Sequence, residues 1–107
     1  PSIMPQAHTH GQIRACGATT VVTGQTTVKV NGELWAVEGD KNSHGEGPLL
    51  AENGITVTIE GKRIITVRDP GSESDNAGHS PFQVRALHGS GDVLAYDSGP
   101  LISAPPE

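Results

Sequence analysis

The histidines and the single cysteine are the side chains of this protein that could bind a transition metal. His10, Cys16, His44 and His79 supply three imidazoles and one thiolate, which together form a complete tetrahedral shell for Zn²⁺. The borderline softness of zinc suits mixed nitrogen and sulfur ligands, so zinc is expected in preference to iron. With all four positions filled by protein, none is left for water, and such a site would be structural rather than catalytic.

These four residues are far apart in the sequence, so they can meet only if the elements between them bring them together. An ungapped repeat relates residues 27–40 to residues 56–69 at a spacing of 29 and matches Thr, Val, Gly and Asp. A weaker third copy fits residues 84–97 at a spacing of 28. The shared order is apolar strand, X-Gly turn, apolar strand and Asp, which predicts one β-hairpin in each copy.

The first copy carries strong local signals of a hairpin. Asn31-Gly32 between alternating residues is typical of a type I′ turn, because Asn and Gly tolerate a positive φ. Val28 and Val30 alternate with polar residues, as in a strand that buries one face. A single hairpin is marginal alone, so three hairpins are expected to share one interior.

The predicted fold class is therefore all-β. We expect a small cone-shaped body of three pseudo-threefold β-hairpin repeats with long loops, and a metal ion at its apex. This body corresponds to one domain over residues 1–98, followed by a Pro-rich tail over residues 99–107.

The predicted arrangement of three hairpins also brings the candidate ligands together. Hairpins enter and leave at the end opposite their turn, so His10, Cys16, His44 and His79 belong to loops at the same end. His88 takes a turn position in the third copy and is expected at the opposite end. A bound metal would contribute on the order of 10 kcal/mol to folding, which would compensate for a small apolar core.

Composition and charge exclude several functions. The net charge of -5 leaves no basic stripe for phosphates, so nucleic acid is not an expected partner. The longest strictly apolar run, Leu34 to Val37, is four residues long, which is too short to span a membrane. Cys16 is the only cysteine and cannot form an internal disulfide. Three internal repeats already supply a threefold body, so the chain is expected to be a monomer on its own.

A different metal arrangement remains open from the residues alone. His8-Thr9-His10 is a His-x-His pair, and on one strand both rings would face the same side. Such pairs from three chains could bind iron or zinc across a trimer axis, without Cys16.

Two other functions also remain open. One is a small zinc-dependent hydrolase that uses His10, His44 and His79, with Glu46 or Asp75 as general base. The other is an adhesion module, for which the three aromatic residues offer little stacking surface.

The motifs are similar to those of a known family. They are the stretch from Thr27 to Gly32 with Glu38-Gly39-Asp40 and His44-Gly45, the second stretch from Thr56 to Gly61, the early His10-Gly11, and Cys16-Gly17-Ala18-Thr19. Over residues 8–97 they resemble the PAAR-repeat family, the metal-bound tips of contractile injection machines such as type VI secretion systems and phage tails. Leu34-Trp35-Ala36-Val37 stands where the family has Pro-Ala-Ala-Arg.

The resemblance implies a catalytically inert, membrane-piercing tip. Its apex would be held by zinc, and its triangular base would cap a trimeric β-helical spike, with one tip for three spike chains. It implies transient contact with the membrane of a target cell. Its expected location is the tail tip of a virion, or the bacterial cytoplasm before ejection by a secretion machine.

Overall fold

A computed structural model describes the backbone of residues 6–94 and 102–103 and the side chains of residues 6–90. Within these residues the regular elements are all strands, as the sequence predicts, and there is no helix. The strands are β1 (Gln6–Ala7), β2 (Thr20–Val21), β3 (Lys29–Val30), β4 (Glu33–Leu34), β5 (Lys41–Asn42), β6 (Thr58–Ile59), β7 (Lys62–Arg63), β8 (Ser90–Leu94) and β9 (Ile102–Ser103). All pairings between them are antiparallel.

The first two predicted hairpins are confirmed. Strand β3 pairs with β4, and β6 pairs with β7. Asn31 and Gly32 have φ of 53° and 88°, and Glu60 and Gly61 have φ of 53° and 84°, as a type I′ turn requires. Glu60 adopts this conformation without being Asn or Gly, and its carboxylate accepts hydrogen bonds from Thr26 and Thr27.

Three short backbone segments hydrogen-bond to one another in a closed cycle at the centre of the fold. The N–H of Ala36 donates to His8 O at 2.8 Å, the N–H of Ile65 to Ala36 O at 2.9 Å, and the N–H of His8 to Ile65 O at 3.4 Å. Each segment therefore satisfies the backbone of the next. The spacing of these residues follows the repeat seen in the sequence, but the N-terminal segment takes the third place.

The same turn follows each of the three segments. It is closed by an N–H to C=O bond from Gln12 to Thr9, from Asp40 to Val37 and from Asp69 to Thr66, each 3.1 Å long. The residue inside each turn has a positive φ: 86° at Gly11, 89° at Gly39 and 84° at Arg68. Two copies use glycine there and the third uses arginine.

The third predicted hairpin is not formed by the described residues. Residues 84–86 hydrogen-bond instead to other segments: the N–H of Ala86 donates to Asp69 O, and Arg85 O accepts from the N–H of Ala15. Strand β8 pairs with β1 and β9, which makes a three-stranded sheet of order β1-β8-β9. Tyr96 and Asp97 of the predicted third copy lie outside the described residues.

The repeated aspartates hold the loops that lead into the hairpins. Asp40 is 1% exposed, and its carboxylate accepts hydrogen bonds from the backbone N–H groups of Thr23, Gly24 and Val37. Asp69 repeats this role, because it accepts from the N–H groups of Glu52 and Thr66. The Asp in the sequence repeat is thus a buried loop cap.

The apolar core is small and lies against the hydrogen-bonded cycle. One cluster surrounds Trp35, and the other surrounds Leu49 and Ile65. The indole N–H of Trp35 donates to Ile65 O, so the largest core side chain also bonds to the central segments.

Candidate metal centre

Four potential metal ligands converge beside this body. One donor atom each from Cys16, His44, Asp75 and His79 lies within 4.8 Å of the other three. The structure thus brings together three of the four predicted ligands, and it adds a carboxylate. Sequence reasoning had considered Asp75 only as a general base.

The donor atoms have spacings that suit a tetrahedral ion. Asp75 Oδ2 lies 3.1 Å from His44 Nδ1, 2.9 Å from His79 Nδ1 and 3.9 Å from Cys16 Sγ. Metal–ligand distances of about 2.0–2.3 Å at tetrahedral angles put neighbouring donor atoms roughly 3.3–3.6 Å apart. The two imidazole rings stack at a centroid distance of 5.1 Å with 28° between their planes, and both Nδ1 atoms contact the same carboxylate oxygen. The residues therefore fit a transition-metal ion with small adjustments.

Tight glycine turns position Cys16 and His44. Cys16 lies in a turn in which the N–H of Gly17, at φ 92°, donates to Arg14 O. His44 is followed by Gly45, at φ 94°, whose N–H donates to Asn42 O.

Asp75 and His79 come from a single loop that Asp75 itself organises. Asp75 Oδ1 accepts hydrogen bonds from the N–H groups of Ala77 and His79, and the N–H of Gly78 donates to Asp75 O. One carboxylate oxygen therefore holds the loop, while the other faces the remaining donors.

The three donor loops are also bonded to one another. The N–H of Asn76 donates to Gly45 O at 2.8 Å, which joins the His44 loop to the Asp75 loop. The N–H of Ser43 donates to Thr19 O at 2.8 Å, which joins the His44 loop to the Cys16 loop. Main-chain bonds thus set the relative positions of the ligands.

Asn42 is buried and hydrogen-bonds to the carboxylate of the site, and sequence reasoning missed it. Its side chain is 3% exposed, donates to Asp75 Oδ2 at 3.1 Å and accepts from the N–H of His44. A Cβ at Gly47 would lie 2.8 Å from the Asn42 amide nitrogen, so glycine is needed there to leave room for it. Asn42 links the carboxylate to one of the imidazole loops.

The electrostatics of the site favour an ionised carboxylate. Burial raises the pKa of Asp75, but hydrogen bonds from His79, His44 and Asn42 outweigh it and hold that pKa well below its usual range. The Asp75 side chain is fully buried, whereas His44 and His79 are about one-third exposed, at 34% and 29%. A cation could therefore reach the carboxylate from the imidazole side. A thiolate, two imidazoles and a carboxylate suit zinc or iron better than calcium or magnesium, which prefer oxygen ligands alone.

His10 lies outside this group. Its Nδ1 accepts a hydrogen bond from the N–H of Val22 at 3.1 Å, so the neutral ring carries its proton on Nε2. Neither ring nitrogen then has a free lone pair for a metal. His10 lines a separate surface depression with Thr9, Gln12 and Glu33.

His8 and His88 also have other roles. His8 is fully buried, and its Nδ1 donates to the backbone oxygen of His88 at 2.6 Å, while its Nε2 contacts Thr20 Oγ1. His8 and His10 are thus in different surroundings, one buried and one exposed, and both are already bonded within the chain. His88 lies at the chain segment that leads into β8 and is absent from the donor group.

Comparison of the chain with protein-family models, curated proteins and solved structures found no match. In the part of the chain that the structure describes, no helix is long and apolar enough to cross a bilayer.

Proposed function

We propose that this protein is the metal-bearing tip of a contractile injection apparatus, either a phage tail or a type VI secretion machine, and that it caps a trimeric β-helical spike. The observation that carries the proposal is the convergence of Cys16, His44, Asp75 and His79 on one point, next to a body built around three hydrogen-bonded segments. The metal motifs and the hairpin motifs of the PAAR-like pattern are thus found in one small unit.

The closed backbone cycle supports a spike partner. Its three segments carry the same turn and bond to one another through the main chain. We expect the surface around them to present three related faces. A pseudo-threefold monomer can meet three identical chains at once, so the proposed stoichiometry is one tip for three spike chains. The hairpin turns at Asn31-Gly32 and Glu60-Gly61 would face the spike.

Zinc is the proposed metal, and its role would be structural. The four positions of a tetrahedral ion would be filled by Cys16, His44, His79 and Asp75. Asn42, which donates to Asp75 Oδ2, would orient the carboxylate. Bound zinc would hold three loops that contain little apolar surface, and would thereby oppose their local unfolding when the tip meets a target membrane.

A hydrolase is a weaker proposal because its two candidate bases are engaged. In the proposed site Asp75 is itself a metal ligand through Oδ2, and its Oδ1 accepts hydrogen bonds from the N–H groups of Ala77 and His79. Glu46 pairs with Lys41 at 3.3 Å on the surface. We therefore propose that the chain performs no catalytic turnover.

Two measurements test the proposal separately. Elemental analysis of protein purified without chelator should find one zinc per chain, and anomalous scattering should place it between Asp75 and the two imidazoles. Native mass spectrometry with a panel of trimeric β-helical spike fragments should then find one tip on three spike chains. A tip with zinc but no affinity for any spike would refute the injection-tip function and leave the metal site intact. A stable homotrimer of the chain would refute the one-to-three pairing.

A further inference from the structure

A second surface feature contains none of the donor residues of the metal site. It is a shallow groove lined by Val67, Arg68, Phe82, Arg85, Ala86 and Leu87. Phe82 is 67% exposed and Leu87 is 40% exposed, which makes them the two most exposed large apolar side chains among the described residues. None of the lining residues is acidic. The groove thus combines an apolar surface with two guanidinium groups.

Arg68 adopts a backbone conformation that glycine adopts in the equivalent turns. Its φ is 84°, and the corresponding residues, Gly11 and Gly39, have φ of 86° and 89°. A side chain in this left-handed region costs about 1–2 kcal/mol. Such strain is typical of functional positions, and here it puts a cationic side chain where the other two turns have none.

Among the residues whose side chains the structure describes, neither arginine has an acidic partner. The ion pairs among the described residues involve Lys41, His44 and His79, although the chain as a whole has twelve acidic residues and a net charge of -5. Arg85 stacks on Phe82, with its guanidinium carbon 4.0 Å from the ring centroid, and donates to Phe82 O. This stacking fixes the planar guanidinium next to the ring and leaves further N–H groups free to bind a carboxylate.

We infer that this groove binds an acidic segment of another protein, in which an aliphatic side chain is flanked by carboxylates. The aliphatic group would lie against Phe82 and Leu87, and the carboxylates would meet Arg68 and Arg85. Planar guanidiniums match carboxylates in a two-point geometry, and a concave groove fits a side chain better than a flat bilayer. The inference is independent of the injection-tip proposal.

The test uses the full chain and three synthetic peptides. The first is acetyl-Gly-Glu-Leu-Glu-Gly-amide, the second has Gln in place of both Glu, and the third has Gly in place of Leu. Phe82 is the only phenylalanine, so its ring signals in a phenylalanine-labelled NMR sample report on the groove alone. The first peptide should shift these signals at lower concentration than the other two. R68G and R85Q should each weaken its binding about fivefold, the upper range for a partly exposed ion pair.

Two controls separate binding from folding and from general charge effects. R68G places glycine where both sister turns have it and relieves the strain of a side chain at positive φ, so the variant should unfold at the temperature of the wild type or above it. K29Q removes one exposed positive charge outside the groove and should leave the affinity unchanged. Equal binding of the three peptides, or undiminished binding by R68G, would overturn the inference. Ring shifts caused by phosphatidylglycerol vesicles but by none of the peptides would also overturn it, in favour of a lipid surface.

Discussion

Acidification should destabilise this protein through a single buried histidine. The Nδ1 of His8 faces a carbonyl oxygen, so it must carry the proton, and the Thr20 hydroxyl can then donate to Nε2 while accepting from Arg14 Nε. Burial lowers the pKa of His8 from 6.5 to about 4, against the hydrogen bond to His88, and the nearby Arg14 cation lowers it further. His8 is therefore neutral in the folded state.

The sign and size of the effect follow from these two pKa values. Because the folded pKa is the lower one, the unfolded chain binds the proton first, and stability is lost as the pH falls from 6.5 towards about 4. A shift of this size corresponds to about 3 kcal/mol of unfolding free energy. Asp69 acts in the opposite direction, since burial raises its pKa to about 6 in spite of its hydrogen bonds, so its protonation stabilises the fold in acid. The pH dependence of the wild type alone would therefore hide the contribution of His8.

The variant H8N isolates the contribution of His8 to the pH dependence of stability. Asparagine does not titrate and can still donate to His88 O, while Asp69 and the metal ligands are the same in both proteins. Urea unfolding with saturating zinc can be followed by the fluorescence of Trp35, the only tryptophan, which is 1% exposed when folded. At about pH 7.5 the wild type should be more stable, and this advantage should shrink by about 3 kcal/mol at about pH 4. An advantage that stays constant with pH, or grows in acid, would refute the assignment of a buried neutral His8.

Three other substitutions test the site and the frame. H44A should lower the thermal midpoint of zinc-loaded protein far more than H88A. Only His44 contributes a donor atom, and each ligand carries part of the free energy that metal binding adds to folding. Equal losses in the two variants would refute the donor set. N42A should weaken zinc binding by about 10- to 100-fold, measured in competition with a chromophoric chelator, because Asn42 orients the Asp75 carboxylate. An unchanged affinity would show that the carboxylate does not need Asn42. D40A removes the acceptor of three backbone N–H groups and should cost about 3 kcal/mol in urea unfolding; a loss well below 1 kcal/mol would mean that the loop does not depend on its cap.

The two hairpins could be predicted because their determinants are local. A two-residue turn with positive φ at both positions and alternating strands on either side is encoded within about ten residues. The central cycle could not be predicted in the same way. Its main-chain bonds require only extended segments and one residue that tolerates a positive φ. The N-terminal copy therefore has little in common with the first hairpin copy beyond Gly11, which is equivalent to Gly39. The apolar pattern predicts residues 84–97 as the third copy instead, but the described part of that range bonds to other segments.

The metal site was predictable in part for a similar reason. The chain has five histidines and one cysteine against twelve acidic residues, so the placement of the former in loops carries more information, and three of the predicted ligands converge. Asp75 is one of twelve acidic residues, and its sequence surroundings resemble those of any polar loop. His10 has the loop position that the frame requires, but a backbone N–H occupies its Nδ1. Such a bond depends on tertiary packing and cannot be predicted from the sequence.

Arg14 explains how loops with so little apolar surface can keep the donor atoms together. It is fully buried, and its Nη1 donates to Gly47 O and Val84 O at 3.0 and 2.8 Å, while its Nε donates to Thr20 Oγ1. Gly47 follows His44, Val84 follows His79, and Thr20 follows Cys16, so one guanidinium joins all three donor loops beneath the site. Burial lowers the pKa of Arg14 to about 10, which still leaves it charged at neutral pH. An internal cation thus holds the loops from the inside in the absence of apolar packing, and a metal ion bound outside would need to reorder little of the chain.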